Sequence, residues 1–461
     1  MFGNLQRALL FVALAIPGFA QPRPVTFDDD VKPIFARRCL GCHNAGEMRA
    51  GLNLESFGGV LKGGGSGDAV IAGRASASLL YRAVAREDGA PQMPLGQAKL
   101  PDADIAAIRD WIQQGLLETA SSAPRGAVAP SLDYKPADTN RPAGPPAMPR
   151  QLDAVTLPET ARAQPVTALA ASPWAPLVAV AGHERIYLYD LQKRTPAGEL
   201  PFPEGIPYVL RFSRDGAMLL AAGGRAVESG KAVLFDVCTG KRLAEVGQET
   251  DAVLAADVSA DGKLVALGGP GKLVKVFSVA TGKLLYQIAK HTDWIAAIEF
   301  SPDGAMLATA DRSGGIFLWD SAGGGVAGAL ADHKDSVTAL SWRGDSRLLA
   351  SASEDGQIIV WNVGDGFPVS TIAKAHPSKP APGGVLSLQF TKDGRLVSVG
   401  RDSTIRVWSA DGKPRGASQA FDALLTKVAV SPDGSLAIAG DYQGQLRIWD
   451  GRTASVLWPG R

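Results

Sequence analysis

The chain has 461 residues, and its 47 lysines and arginines are set against 46 aspartates and glutamates, for a formal charge of +1. So even a balance argues against a nucleic-acid partner, which needs a basic surface, and against attachment to an anionic membrane by a polybasic patch. The length is sufficient for more than one domain.

At the N-terminus, Arg7 precedes an apolar run from Ala8 to Ile16, and Gly18-Phe19-Ala20 places small residues where a signal peptidase cuts. The run is shorter than the ~20 residues that span a bilayer, and no cysteine stands at the cleavage point. Residues 1–20 are therefore expected to be an export signal, with the mature chain starting near Gln21 as a periplasmic or secreted protein without a membrane span.

An acidic cap, Asp28 to Asp30, and a short helical pattern, Val31, Ile34 and Phe35, lead into Cys39-Leu40-Gly41-Cys42-His43. C-x-x-C-H offers two thiols to the vinyl groups of a haem and an imidazole to its iron. A zinc site would need more thiolates or imidazoles near by, but the remaining cysteine, Cys238, is far along the chain. A redox disulfide expects a βαβ context that is missing here. One covalently attached haem c is expected on Cys39, Cys42 and His43. Cys238 then has no partner and reads as a small buried or semi-buried residue.

Met93, followed by Pro94, is the expected sixth iron ligand, because some fifty residues separate it from His43 and let the chain wrap round the haem edge. Met48 is too near His43 to cross to the other face, and Met148 falls in a linker-like segment. The alternative is Met93 as loop packing, with the iron five-coordinate or ligated otherwise. The run Lys62-Gly63-Gly64-Gly65-Ser66-Gly67 lacks the Gly-Lys-Ser/Thr that opens a phosphate-binding helix and reads as a loop flanking the haem. Arg74 is either solvated or a partner for a haem propionate. From Pro101 and Asp102, residues Ile105, Ile108, Trp111, Ile112 and Leu116 predict one amphipathic helix, packed against the one that precedes Cys39.

Between residues 119 and 163, Ala, Pro, Ser and Thr dominate, which predicts an extended linker with few contacts. Beyond it, turn signals recur at Ser172, Ser213, Ser259, Ser301, Arg343, Thr391 and Ser431, at the ~40–45-residue spacing of a four-stranded propeller blade. Each repeat ends a strand in an aromatic plus a polar residue, from Tyr189-Asp190 to Trp449-Asp450. Trp458 lies in a strand-like ending that is a candidate outer strand for the last blade, and how the ring closes is left open.

Two resemblances rest on these residues. Gly51-Leu52-Asn53-Leu54, the glycine run, Ala72-Gly73-Arg74, Ser78-Leu79-Leu80-Tyr81, Met93-Pro94 and Trp111-Ile112 resemble the planctomycetal-type c-type cytochrome domain over about residues 25–118. Residues 164–461 resemble the WD40 repeat family. Together they imply a multidomain chain: a small all-α c-type cytochrome domain at 21–118, a linker at 119–163 and an all-β seven-bladed WD40 propeller at 164–461.

The WD40 resemblance also implies a hydrogen-bonded His, Ser or Thr, Asp and Trp set in each blade. His333, Ser351, Asp355 and Trp361 form one such set, and His376, Ser398, Asp402 and Trp408 another; beside His291 and Thr309, Ser313 stands where the aspartate is expected. The first three blades and the last lack the histidine.

The expected function is that of an exported monohaem cytochrome carrying out one-electron transfer with a redox partner protein. Its propeller would bind a protein or a polysaccharide. The alternatives are a redox enzyme with a second cofactor in the propeller, against which the histidine inventory speaks, and a haem-based sensor or interaction protein.

Overall fold

The computed structural model describes residues 23–87, 90–120, 122, 141, 143–150, 152–155, 164–377 and 383–458. The expected export signal and much of the expected linker lie outside the described residues.

The first domain starts on Thr26. Its hydroxyl accepts from Asp29 N at 3.2 Å, and its own N–H donates to Asp30 at 2.8 Å, so the first turn is capped from both directions. A π-helical turn, Phe27–Val31, runs into helix α1, Lys32–Arg38. The acidic triplet stands at the positive end of the helix dipole. Helix α2 spans Phe57–Lys62, α3 Leu79–Ala85 and α4 Asp102–Gln113.

The α4 stripe of Ile105, Ile108, Trp111 and Ile112 is buried as its period predicts. Phe27 meets Phe35, Phe57 and Trp111 with ring centroids 6.2, 5.5 and 5.6 Å apart, and these rings form the centre of the domain. Leu116 belongs to this core, but it lies beyond the end of α4, at a φ of 57°. The domain is sealed where its two ends meet, since Leu117 O accepts from Phe27 N at 2.7 Å and from Trp111 Nε1 at 2.9 Å.

Seven four-stranded antiparallel sheets come next, each built from consecutive strands. They occupy residues 169–201, 206–249, 255–288, 295–330, 337–372, 385–417 and 425–458, and the first strand of each lines a central channel. The repeated turn joins the first strand of a blade to the second. In it Ser213, Ser259, Ser301 and Ser431 donate to the aspartate two residues on at 2.5–2.7 Å and accept the N–H five residues on at 2.9 Å. The glycine that ends the turn has positive φ, as at Gly304 with 74°, which a side chain would strain. The fifth blade does without the serine, and Arg343 donates twice to Asp345 instead.

The polar sets behave as chains of donors. Asp355 as a carboxylate can only accept, so His333 donates through Nδ1 at 2.9 Å; its Nε2 then accepts from Ser351 Oγ at 2.7 Å, which in turn accepts from Trp361 Nε1 at 2.8 Å. His376, Ser398, Asp402 and Trp408 repeat the pattern. The fourth blade is complete as well. Asp311, two residues before Ser313, binds His291 Nδ1 at 2.8 Å, and Ser313 Oγ donates to that same carboxylate at 2.7 Å. The aspartate is displaced along the turn rather than missing. In the last blade Asp441 sits at the displaced position, and Arg447 Nε donates to it at 2.8 Å.

Trp458 closes the outer strand of the last blade, Ala454–Trp458. Among the described residues, the first and last blades share no strand. They are joined by Val166 N to Asp441 O at 3.0 Å, by Thr426 Oγ1 to Val166 O at 2.7 Å, and by a common core that includes Val166, Leu169, Val178, Ile438 and Leu446. Part of the expected linker also packs on the propeller. Arg150 N donates to Cys238 O at 3.0 Å, Asp153 bridges to Glu199, and Met148 and Leu152 rest on the core of the first two blades.

Asp311→Ala is expected to cost about 1–3 kcal/mol, because it strands a buried imidazole, and Ser313→Ala less than that; urea denaturation of the two variants compares them. A second expectation concerns pH. Burial holds the His291 and His376 imidazoles below their ordinary value, against the pull of Asp311 and Asp402. The unfolded chain takes up these protons below about pH 6.5 and the folded chain resists, so this stability is full above that pH and is lost as the pH falls through it. The urea midpoint is expected to fall between about pH 7.5 and pH 5.5, and less steeply in His376→Gln.

Candidate cofactor site

The last turn of α1 delivers the C-x-x-C-H residues. Cys39 N donates to Phe35 O at 2.8 Å, and Cys39 O then accepts from Cys42 N at 3.1 Å and from His43 N at 3.0 Å. The helical turn thus continues through the motif and keeps both sulfurs and the imidazole on one short stretch. Asn44 locks the next turn of chain, donating to Leu40 O at 2.7 Å and accepting from Gly46 N and Glu47 N.

Cys39, Cys42, His43 and Met93 all line a single cavity of about 450 Å³, a size typical of cofactor sites. Leu52, Leu54, Leu80 and Val84 supply much of its apolar wall. Met93 enters from another segment, which is tied to α3 by Met93 N to Ala83 O at 3.0 Å. The structure therefore brings together every residue that the sequence assigned to the site. Met148, on the propeller, is not among the lining residues.

The residues present suit a haem. The cavity is largely apolar, two thiols and a thioether open onto it, and His43 Nδ1 is buried with no protein hydrogen-bond partner among the described residues. Burial pushes the Cys39 thiol up to about 11.

Two sequence readings are settled by position. The glycine run folds into a tight bridge between Gly64 and Gly67, with Gly65 N donating to Ala50 O at 2.6 Å. A Cβ on Gly63 would lie 2.4 Å from Gly67 O, so the loop admits no side chain there. Its amides are used internally and it flanks the cavity rather than cradling a phosphate. Arg74 does not line the cavity; its guanidinium reaches the propeller, 3.4 Å from where a Cβ on Gly328 would be. The propionate option for Arg74 thus finds no support in its position.

A buried polar group at one mouth of the propeller channel went unnoticed in the sequence. Glu299 faces Arg211 and Arg214 at 3.7 and 4.0 Å, and burial pushes its carboxyl up to about 7. Neighbouring Asp257 accepts from Phe300 N at 2.7 Å. The available signal was a charge within an otherwise apolar first strand, Ile295–Phe300.

A cavity armed with this motif, on a small helical domain in front of a propeller, defines a haem-binding protein with an interaction platform. Residues 39–94 match the family model described as Planctomycete cytochrome C, and residues 282–320, 326–362, 367–409 and 418–450 match that described as WD domain, G-beta repeat. The chain thus joins a planctomycetal-type c-type cytochrome domain to a WD40 propeller. The first three matched segments carry the histidine and tryptophan sets and the fourth keeps Asp441 and Trp449; the first three blades show themselves through their sheets.

In the haem-free chain, Cys39 is expected to alkylate with iodoacetamide at pH 8 roughly a hundredfold more slowly than an ordinary thiol, in line with its raised pKa. Peptide mapping after timed quenching measures this.

Proposed function

We propose that the chain is an exported one-electron carrier, with a single haem c held by Cys39, Cys42 and His43 and ligated on its other face by Met93. The observation that carries this reading is that these four residues, from two separate segments, line one apolar cavity. Haem bound there supplies a one-electron Fe(III)/Fe(II) couple, and thioether ligation makes it comparatively oxidising. The thiols fix the group to the chain, the apolar wall limits water, and α3 holds the methionine segment. If His43 and Met93 both held the iron, no position would be left on it for a substrate, which favours a carrier over a catalyst.

A second cofactor in the propeller finds little support. His291, His333 and His376 each have both ring nitrogens engaged in blade hydrogen bonds, and His183 lies exposed in a turn. The propeller serves as the platform for a protein partner, with a polysaccharide as the other class of ligand, and the redox partner is a protein. Export is supported by the sequence of residues 1–20 and by the attachment motif.

The test is to purify the protein from a host that attaches haem to exported chains. One haem per chain is expected to survive acid–organic extraction, and Cys39→Ser/Cys42→Ser is expected to abolish its retention. The oxidised protein is expected to show the weak far-red methionine-to-iron band, and Met93→Ala to lose it together with a fall in potential. Freely extracted haem, or an unchanged spectrum in Met93→Ala, would overturn the corresponding part of the assignment.

A further inference from the structure

The two domains touch, and they touch behind the cofactor cavity. Helix α3 has two sides. Leu79, Leu80, Ala83 and Val84 line the cavity, whereas Tyr81 faces the turn between the last two strands of the fifth blade and meets Phe367 edge-on, with ring centroids 5.4 Å apart and planes at 87°. Phe367 packs onto the core of the first domain although it belongs to the propeller. Shortly before Ser78, the N-cap of α3, Ser76 Oγ donates to Asp365 O at 2.7 Å.

The turn is built to hold this position. Asp365, itself buried, accepts from Phe367 N at 2.8 Å and from Asn362 Nδ2 at 2.5 Å, so its backbone is fixed from within the blade. Between Asp365 and Phe367 stands Gly366, with φ at 74°; a Cβ there would lie 2.4 Å from Ser76 Oγ. Both the conformation and the clearance require glycine, and the close approach of the two domains depends on it. On the neighbouring fourth blade, Arg74 lies against Gly328.

From this arrangement we infer that the Asp365–Phe367 turn is a buttress for the cofactor site. It fixes α3 from the side away from the cavity, and α3 fixes Met93 through the hydrogen bond between Met93 N and Ala83 O. The propeller is therefore a positioning element for the sixth ligand as well as a platform. Phe367 acts through Tyr81 and α3 and does not line the cavity. A partner that shifts the fifth-blade turn on binding would alter the strength of the methionine bond, and so the potential. The inference rests on the assignment of Met93 as ligand.

The experiment uses the full haem-loaded chain and compares wild type, Phe367→Ala, Phe367→Tyr and Met93→Ala. Phe367→Ala is expected to weaken the far-red band, lower the potential and speed carbon monoxide binding to the reduced protein, with Phe367→Tyr restoring all three by returning a ring to Tyr81. Hydrogen exchange at the amides of α3 is expected to quicken in Phe367→Ala, and this readout does not depend on which group ligates the iron. If exchange at α3 is unchanged, the buttress is overturned. If exchange quickens while band, potential and carbon monoxide binding stay at wild-type values, its effect on the site is overturned. Should Met93→Ala itself leave the spectrum unaltered, the ligand assignment fails, and the exchange data alone decide whether the turn supports α3. As a second variant, Ser76→Ala removes the hydrogen bond to Asp365 O without touching either ring, and a smaller shift in the same direction is expected.

Discussion

A four-stranded sheet with two apolar faces has no way to bury both of them alone, and that constraint shapes most of this molecule. The second strands of the blades, such as Leu348–Ser353 and Leu177–Gly182, are buried almost throughout and rich in Ala, Val and Leu. Each stack of two neighbours makes one core, so that Ile316 and Leu318 of the fourth blade share a cluster with Leu349 and Trp361 of the fifth. Only a closed ring leaves no face uncovered. The last junction, between blades one and seven, is made in the same way as the others, with Val166 filling the space beside Gly440, where a Cβ would lie 2.3 Å from it.

A rigid ring of this kind changes what the small domain in front of it has to do. Its own core is a handful of helices around Phe27 and Trp111, and three of those helices are only six or seven residues long. Short helices gain little from their own hydrogen bonds and depend on what they pack against. α3 packs against the cavity on one side and receives Phe367 on the other, so its order comes partly from outside its own domain.

Much of this was legible in the sequence for identifiable reasons. Blade number followed from a turn signal that recurs because, in five of the seven repeats, a hydroxyl and a carboxylate pair to hold the turn. The candidate site was legible because Cys39, Cys42 and His43 are adjacent, and the place of Met93 in the same cavity because few methionines were available for it. The placements that stayed hidden depend on distant partners. Asp311 does the work of an aspartate expected two residues later, since the carboxylate reaches the imidazole from either register of the turn. Arg74 has no local feature that distinguishes a propionate from Gly328 as its neighbour, and Phe367 reads in sequence as an ordinary turn aromatic. Leu152, in a proline-rich stretch that reads as spacer, packs against Gly198 and Gly240, whose lack of side chains makes room for it.

Because, among the described residues, each blade is assembled from one continuous piece of chain, every junction in the ring is of one kind: side chains and a few hydrogen bonds between complete sheets. No position in the circle is privileged as a clasp. A lineage of such chains can gain or lose a whole sheet by duplication or deletion without first reorganising a shared one. The same modularity sets the order of assembly on the ribosome, where each sheet can form as it emerges but the exposed face of the first must wait for the arrival of the seventh.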